Sequence, residues 1–550
     1  MKLNFIIYIT LLYSYSVANN LSSSINLLQK KNFNLNSTIG YSGINFHKYI
    51  KDESHLNDGS GCIKLVKHWY THQLKTPSFQ LKKGHHYTIG AYMKAIGSKY
   101  GQNIMFKISG LGEMSEINWN ISSLNEWEEI LLPYRAKKTG LYYISIFTFK
   151  YSLSLDDRYV NKEGSNLDKS ATIYIDDFFV YESKNILSNE EKSLKKSFTS
   201  NSIKVDSLGN WSVYSEGKWK DIFPKFAYQD WGARDFKTYK EYGFTGIINI
   251  DTIQKLYKAL DSGLKYNGIQ INNFTAKTKK LMKKIKRDVS NKKLSSSSII
   301  LYNFDNEGRY LSNSKQILSE LLWIKNYDKS RPIYMLNGVA EGLTRQYNDR
   351  IDVTGTYITE TGNEIEIYEN PINNFELLNK IDNQKVPVSM MQLQCYYHNL
   401  FIPSIFKGLG EGAKALTFWR GGKGLKRYNC PEDFTKNVWA SSIKGEDGIF
   451  ALIDKLLPIL REPLETKWSA SVDVPSTVSI APRDYNSKHY LFLANFANKA
   501  QKVRIKLKNL KVSQVENFFT KKSLCFNKKS KDFFINIDKH NKGYLVLELK

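Results

Sequence analysis

The chain of 550 residues is 41% hydrophobic, 24% charged and 13% aromatic, which excludes a disordered, collagenous or coiled-coil protein and supplies core for several domains. Its formal charge of +26, from 79 Lys and Arg against 53 Asp and Glu, would suit nucleic acid or an acidic polymer. The excess is mostly lysine scattered along the whole chain beside abundant Asn, Ile and Tyr, so it reads as composition drift, and no nucleic-acid partner is expected.

In chain order, residues 1–18 come first. Lys2 precedes an apolar run from Phe5 to Val17, and Ser16-Val17-Ala18 is small where a signal peptidase reads. This predicts a secretory signal peptide cleaved after Ala18. The run is shorter than the roughly 20 residues a membrane span needs. No later segment reaches that length, so an exported, soluble chain is expected. The cysteines Cys62, Cys395, Cys430 and Cys525 are too few and too dispersed for a metal site or a disulfide scaffold. At most Cys395 pairs with Cys430. Asn20, Asn36, Asn120, Asn210 and Asn273 each begin an Asn-x-Ser/Thr sequon.

Residues 24–183 carry short alternating segments, such as 87–92, 128–132 and 141–147, separated by polar turns. That spacing predicts an antiparallel β-sandwich. Asn26-Leu27-Leu28, the run from Phe79 to Gly84 leading into Tyr87 to Ala95, and Ile173-Tyr174-Ile175-Asp176-Asp177 resemble the jelly-roll carbohydrate-binding modules appended to secreted glycosidases. The resemblance implies sugar binding through exposed aromatic faces, for which Trp69, Tyr70, Trp119 and Trp127 are the candidates. Each of these rings is equally suited to a core position.

A lysine- and serine-rich stretch, 184–202, reads as a linker. Across 203–466 strand-like apolar runs alternate with amphipathic helical stretches. The strands fall at 222–228, 245–250, 268–271, 298–304, 333–336, 351–358, 386–392 and 413–419. Helices are predicted near 236–242, 253–260, 277–289, 315–327, 375–381, 402–409 and 448–460. Eight βα units over about 250 residues is the arithmetic of a (β/α)8 TIM barrel. Residues 467–550 return to β alternation and predict a small C-terminal β-sandwich.

Reactive groups of such a barrel sit just past the C-terminal strand ends. Those ends carry Tyr228-Gln229-Asp230-Trp231, Asn249-Ile250-Asp251, Gln270-Ile271-Asn272, Asn303-Phe304-Asp305-Asn306-Glu307, Asn337, Tyr357-Ile358-Thr359-Glu360, Gln392-Leu393-Gln394 and Trp419-Arg420. Amides, carboxylates and rings at one mouth suit a polyhydroxylated ligand. No phosphate-binding glycine loop or His/Cys cluster competes, so neither a cofactor nor a metal is expected. Along strand four, period-two alternation directs Ile300, Tyr302 and Phe304 to the helical layer and Asn303, Asp305 and Glu307 to the barrel axis. Two carboxyls about 7 Å apart on one face can split their pKa values, one kept protonated and one ionised. A general acid and an electrostatic partner need that split. The alternative is that either carboxylate bonds a neighbouring loop.

Asn306-Glu307-Gly308 is similar to the Asn-Glu motif of the large retaining clan of glycoside hydrolases, whose Glu is the acid/base. Lys385 to Val388, Gln392 and Gly412 to Leu416 resemble secreted barrels with an Asp-Glu-Pro motif at strand four, with Gly308 here in place of the proline. That clan carries a Glu near the end of strand seven, where this chain has Gln392 and Gln394, so no nucleophile carries over. Asp305-x-Glu307 with Tyr357 and Trp419 is also similar to chitinase-type enzymes that use the substrate's acetamido group, with Ile300 and Asn303 at that family's first two Asp positions. These resemblances imply a secreted glycoside hydrolase acting on a polysaccharide or glycan. Glu307 would protonate the glycosidic oxygen, and Asp305 would orient a substrate group or stabilise the oxocarbenium-like transition state. Glu360 is the nearest spare carboxylate, at the start of the polar loop 361–370. Tyr228, Asn272, Asn303, Tyr357, Gln394, Trp419 and Arg420 are the expected substrate contacts, with barrel packing an equal alternative for Trp419. The competing reading is a catalytically inactive, lectin-like protein on the same scaffold.

Overall fold

The computed structural model describes residues 47–50, 54–55, 61–65, 74–97, 102–121, 125–136, 138–148, 172–182, 197–228, 236–271, 276–304, 314–337, 351–357, 388–394, 399–419, 440–464, 466–475, 477–524 and 532–550. The chain divides into two compact units, 1–185 with 310–315, and 186–309 with 316–550. Residues 1–18, expected to be a signal peptide, Cys395, Cys430, Cys525 and the sequons at Asn20, Asn36 and Asn273 lie outside the described residues.

The first unit is built from two antiparallel sheets. One orders His47–Ile50, Cys62–Leu65, Thr172–Glu182, His86–Ile96 and Glu128–Arg135. The other runs Leu74–Lys75, Gly140–Thr148, Gln102–Gly110 and Glu113–Ile121, with Phe79–Leu81 also on Gly140–Thr148. Alternation decides what each strand buries: on His86–Ile96, Tyr87, Ile89, Ala91, Met93 and Ala95 enter the core with Ile104, Ile108, Ile144, Ile175 and Val180. Tyr92 and Lys94 are left on the opposite face. The expected antiparallel pattern is therefore present in this unit.

The second unit begins differently from the expectation. Phe198–Thr199, inside the expected linker 184–202, pairs with Ile203–Val205. Trp211–Ser215 and Lys218–Ile222 complete a four-stranded antiparallel sheet. Glu216 and Gly217, at φ 55° and 77°, close its last hairpin, a geometry that glycine accepts without penalty. The parallel strands therefore start at Lys225, and residues 203–222, expected to belong to the barrel segment, form this antiparallel sheet instead. The expected first strand, 222–228, is two elements: Ile222 ends the hairpin, and Pro224, which lacks an N–H for any ladder, separates it from the parallel sheet.

Eight strands follow: β1 (Lys225–Ala227), β2 (Gly246–Ile247), β3 (Asn267–Gln270), β4 (Ile299–Phe304), β5 (Ile333–Asn337), β6 (Val353–Tyr357), β7 (Val388–Gln394) and β8 (Ala415–Trp419). They form one all-parallel sheet in the order β2-β1-β8-β7-β6-β5-β4-β3. Between its end strands an isolated parallel bridge pairs Ile250 with Ile269. There Ile250 N donates to Gly268 O (3.1 Å) and Gln270 N to Ile250 O (2.9 Å).

The helices between strands are α1 (Phe236–Glu241), α2 (Ile253–Asp261), α3 (Ala276–Ser290), α4 (Ser314–Tyr327), α5 (Phe401–Glu411), α6 (Ala440–Ile443) and α7 (Ile449–Arg461). The expected helix at 375–381 lies outside the described residues. Thr252 caps α2 by accepting from Lys255 N.

The C-terminal residues form a three-stranded sheet, Ser469–Val472, Gln501–Lys508 and Asp532–Ile537, and a five-stranded one, Val478–Tyr485, Lys488–Asn495, Tyr544–Leu549, Val515–Asn517 and Ser523–Leu524. Leu491, Leu493, Val503, Ile505, Phe533 and Leu547 share one core. Helix α5 is buried at every residue, its two charged side chains, Lys407 and Glu411, paired with each other at 2.7 Å. It lies against the five-stranded sheet: Phe406 stacks on Tyr544 at 4.1 Å, and Arg483 donates to Leu409 O at 2.9 Å. A Cβ at Gly410 would come within 2.8 Å of the Ala481 Cβ. No helix among the described residues is long and apolar enough to cross a membrane.

Candidate functional site

The inward face of the parallel sheet follows from which side chains are anchored outward. On β4, the Tyr302 hydroxyl bonds Asp328 just beyond α4, and Arg331 Nη1 clamps the same carboxylate at 2.5 Å. Burial holds the Tyr302 hydroxyl well above the ordinary tyrosine range. Tyr302 therefore faces the helices, and Leu301 and Asn303 alternate to the other side. Leu301 covers Gly268 of β3, where a Cβ would meet its Cδ1 at 2.7 Å. On β1, Lys225 reaches out to Asp454 of α7 at 2.7 Å, so Phe226 and Tyr228 alternate inward. On β8, Phe418 packs edge-on to Phe244 and Phe450, leaving the wholly buried Thr417 on the inner side.

Asn303 is the central observation. It is 0% exposed, and neither its Oδ1 nor its Nδ2 has a hydrogen-bond partner among the described residues. In register it lies between Gln270 of β3 and Tyr334 of β5. A buried amide left unpaired costs about 1–3 kcal/mol, and such orphans mark places where another group completes the bonding. Asn303→Leu, close in size and without the amide, is expected to raise stability by about 1 kcal/mol and to weaken binding of any polyhydroxylated ligand. A urea-unfolding midpoint that falls instead would assign the amide a structural partner.

The other expected contacts are placed as follows. Tyr228 is buried, and its N donates to Phe418 O at 3.0 Å, tying the end of β1 to β8. Tyr357 is in register with Gln392, and Gln394 with Trp419. The strand ends thus bring Tyr357, Gln394 and Trp419 to adjacent strands. Asp251 is committed to Lys255 (2.5 Å) and Lys277 (3.7 Å). Asn272, Asp305, Glu307, Glu360 and Arg420 lie outside the described residues.

In the first unit, Trp69 and Tyr70 also lie outside the described residues, and Trp119 is paired in register with Ile104. Trp127 is half-buried and belongs to a group the sequence did not reveal. The His55 ring stacks on Tyr92 (centroids 3.6 Å, 12°) and meets Trp127 edge-on at 6.0 Å. Lys94 Nζ lies 4.9 Å from the Trp127 ring and 5.4 Å from that of Tyr174. The signal was available in part, since Tyr92 and Lys94 alternate with the core residues Ala91 and Met93.

Beneath them the Asp176 carboxylate is fully buried and accepts from His55 N and Asp177 N, both at 2.8 Å. His55 Nδ1 in turn lies 3.0 Å from Asp177 Oδ2. Burial pushes the Asp176 carboxyl up to about 6, against the pull of the His55 N–H. Because the folded value lies above the unfolded one, the group contributes stability that is full below pH ~4 and lost as pH rises through about 6. Asp176→Asn is expected to flatten the melting temperature of this unit between about pH 4 and about pH 6.5. An unchanged pH profile would remove Asp176 as its source.

No family model and no curated protein matches the chain. Several solved structures are similar to parts of it. A carbohydrate-binding module, TmCBM61, in complex with β-1,4-galactotriose is 18% identical over 29% of this chain and 99% of its own, with a TM-score of 0.21. The CBM22-1–GH10 modules of endo-1,4-β-D-xylanase 10B from Clostridium thermocellum, complexed with xylohexaose, are 12% identical over 77% of this chain and 97% of their own (TM-score 0.26). A noncanonic maltogenic α-amylase, AmyB, from Thermotoga neapolitana is 10% identical over 60% of this chain and 98% of its own (TM-score 0.36). These similar structures are carbohydrate-binding modules and glycoside hydrolases.

Proposed function

We propose that the chain is a secreted glycoside hydrolase cleaving a polysaccharide or glycan, with a (β/α)8 barrel as its catalytic part and the N-terminal β-sandwich as a sugar-holding module. The observation that carries this reading is the buried Asn303 amide on the inner face of β4, without a hydrogen-bond partner among the described residues, two residues before Asp305 and four before Glu307. The period-two pattern of the sequence, continued past Phe304, would bring both carboxyls to the Asn303 side. The barrel is supported by eight parallel strands, each beside its neighbour in sequence, and by the Ile250–Ile269 bridge between the end strands. Secretion rests on the leader pattern of residues 1–18.

In this mechanism Glu307 is the general acid, donating its proton to the glycosidic oxygen as the C–O bond breaks. Asp305, ionised, stabilises the positive charge developing at the anomeric carbon or orients a substrate group. Glu360 is the spare carboxylate for activating water. Tyr228, Asn272, Asn303, Tyr357, Gln394, Trp419 and Arg420 pair with hydroxyls and stack on ring faces. In the first unit Trp127, with Trp69, Tyr70 and Trp119, offers the aromatic platform.

One observation favours a second reading. Strand β7 ends at Gln392-Leu393-Gln394, amides where a protein nucleophile would be a carboxylate, and a lectin-like protein would need none. Incubating the purified protein with a panel of polysaccharides and aryl glycosides, N-acetylhexosaminides included, separates the two. Released reducing ends support the hydrolase, and saturable binding without release supports the lectin. Neither binding nor release overturns both.

A further inference from the structure

We propose that the outer face of the C-terminal three-stranded sheet binds a linear acidic polysaccharide, its carboxylate or sulfate groups met by Lys502, Lys506 and Lys508 and one sugar ring stacked on Phe534. Strand Gln501–Lys508 alternates strictly: Val503, Ile505 and Leu507 enter the core, while Lys502, Lys506 and Lys508 are exposed and Arg504 half-exposed. Four cations thus stand in a row at steps of about 6.8 Å, roughly 20 Å end to end. Packing asks only for polar residues at these positions, and like charges side by side repel. In water and salt this repulsion is modest, and an anion lying along the row would turn it into attraction.

The acids nearby neutralise only one member of the row: Asp532 accepts from Arg504 Nε at 2.7 Å, and Asp473 accepts from the Arg504 backbone N at 2.9 Å. Among the described residues Lys502, Lys506 and Lys508 have no ion-pair partner. Phe534, opposite Arg504 in register, is 55% exposed, with Lys502 Nζ 5.2 Å and the Arg504 guanidinium 5.9 Å from its ring centre. An open apolar ring flanked by charges suits the C–H face of a pyranose bearing anionic substituents. Ser469 and Ser471, exposed and in register with Lys508 and Lys506, add hydroxyls to the same face.

The basic helix α3 differs, because three of its charges face acids and two lie over rings that are not offered as stacking platforms. Lys284 and Arg287 face Asp288, Lys277 faces Asp251, and Lys279 and Lys286 lie over Trp323 and Tyr327. Single-stranded nucleic acid is the less suited polyanion, since its sites combine a groove with successive stacking platforms. Here the face is a flat sheet on which Phe534 is the exposed ring. The proposal stands whether or not the barrel hydrolyses anything.

The test titrates the full chain with sodium polygalacturonate at about 50 and about 200 mM NaCl. Binding is expected, weakening about tenfold between the two salts as condensed counterions are released. Lys502→Gln/Lys506→Gln/Lys508→Gln should lower affinity at least about tenfold, and Phe534→Ser alone several-fold. A matched control, Lys279→Gln/Lys280→Gln/Lys283→Gln on α3, should keep it. No binding at the lower salt, equal losses in the two triple variants, or an oligothymidylate bound more tightly than polygalacturonate would each overturn the proposal.

Discussion

Glu307→Gln is expected to lower sugar release from a polysaccharide by about 10²- to 10⁴-fold, the usual contribution of a positioned general acid. The amide keeps the size and hydrogen-bonding reach of the side chain and removes the transferable proton. Binding should therefore survive while turnover collapses. The loss should also depend on the leaving group. An alkoxide leaving a natural linkage needs protonation, whereas a nitrophenolate leaves largely without it, so the variant should retain much more of its activity on nitrophenyl glycosides. Equal losses on both substrate classes would count against acid catalysis by Glu307, and undiminished release from the polysaccharide would end that assignment.

The largest stability effect is expected at Gly246, at the start of β2. A Cβ there would sit 1.3 Å from Tyr266 O and 3.3 Å from Asn267 N, and both are backbone atoms with no side-chain rotation to relieve them. The surroundings are tightly bonded: Tyr266 N donates to Thr245 O at 3.0 Å, and Ile247 N to Asn267 Oδ1 at 3.0 Å. Gly246→Ala must push β2 away from the segment entering β3. Overpacking costs about 1–3 kcal/mol and a lost buried hydrogen bond about 1 kcal/mol more, so roughly 3 kcal/mol should disappear from the unfolding free energy. Gly112 is the comparison. It has a φ of +78°, and a Cβ added there would meet nothing within 4 Å, so its Ala variant should cost only about 1 kcal/mol from backbone strain. Urea unfolding of both variants decides it, and equal costs would mean that the β2–β3 contact is looser than the geometry implies.

Legibility in the sequence follows locality. Helix α2 is readable because Thr252 caps an amphipathic stretch, and β4 because its apolar run is bounded by polar turns. A single strand at 222–228 is the wrong expectation because Ile222 and Phe226 are both apolar, and periodicity does not report that they pair in different sheets. The Asn210 sequon is visible, but its amide is buried and donates to Asp206 Oδ2 and Arg461 O, so it is held as a structural tie rather than offered for glycosylation. The strand-end rule names Tyr228, Asn303, Gln394 and Trp419 from position alone. What no local pattern carries is the orphaned state of the Asn303 amide, or the His55, Tyr92 and Trp127 group. His55 and Asp176 are bonded across 121 residues of sequence, and only folding brings such partners together.

Helix α5 belongs to two neighbourhoods at once, the parallel sheet it follows in sequence and the C-terminal sheet it lies against. Its shared burial bears on how the gene can change. An insertion in the turn between two C-terminal strands is tolerable, but a recombination that exchanges residues 478–549 as a cassette leaves Phe406, Leu409 and Gly410 facing a foreign surface. At Gly410 a Cβ would come within 2.8 Å of the Ala481 Cβ, so a foreign sheet with a larger side chain at that place would collide with the helix. The C-terminal sheet is therefore inherited with α5 as one block, and sequence drift in either is constrained by the other.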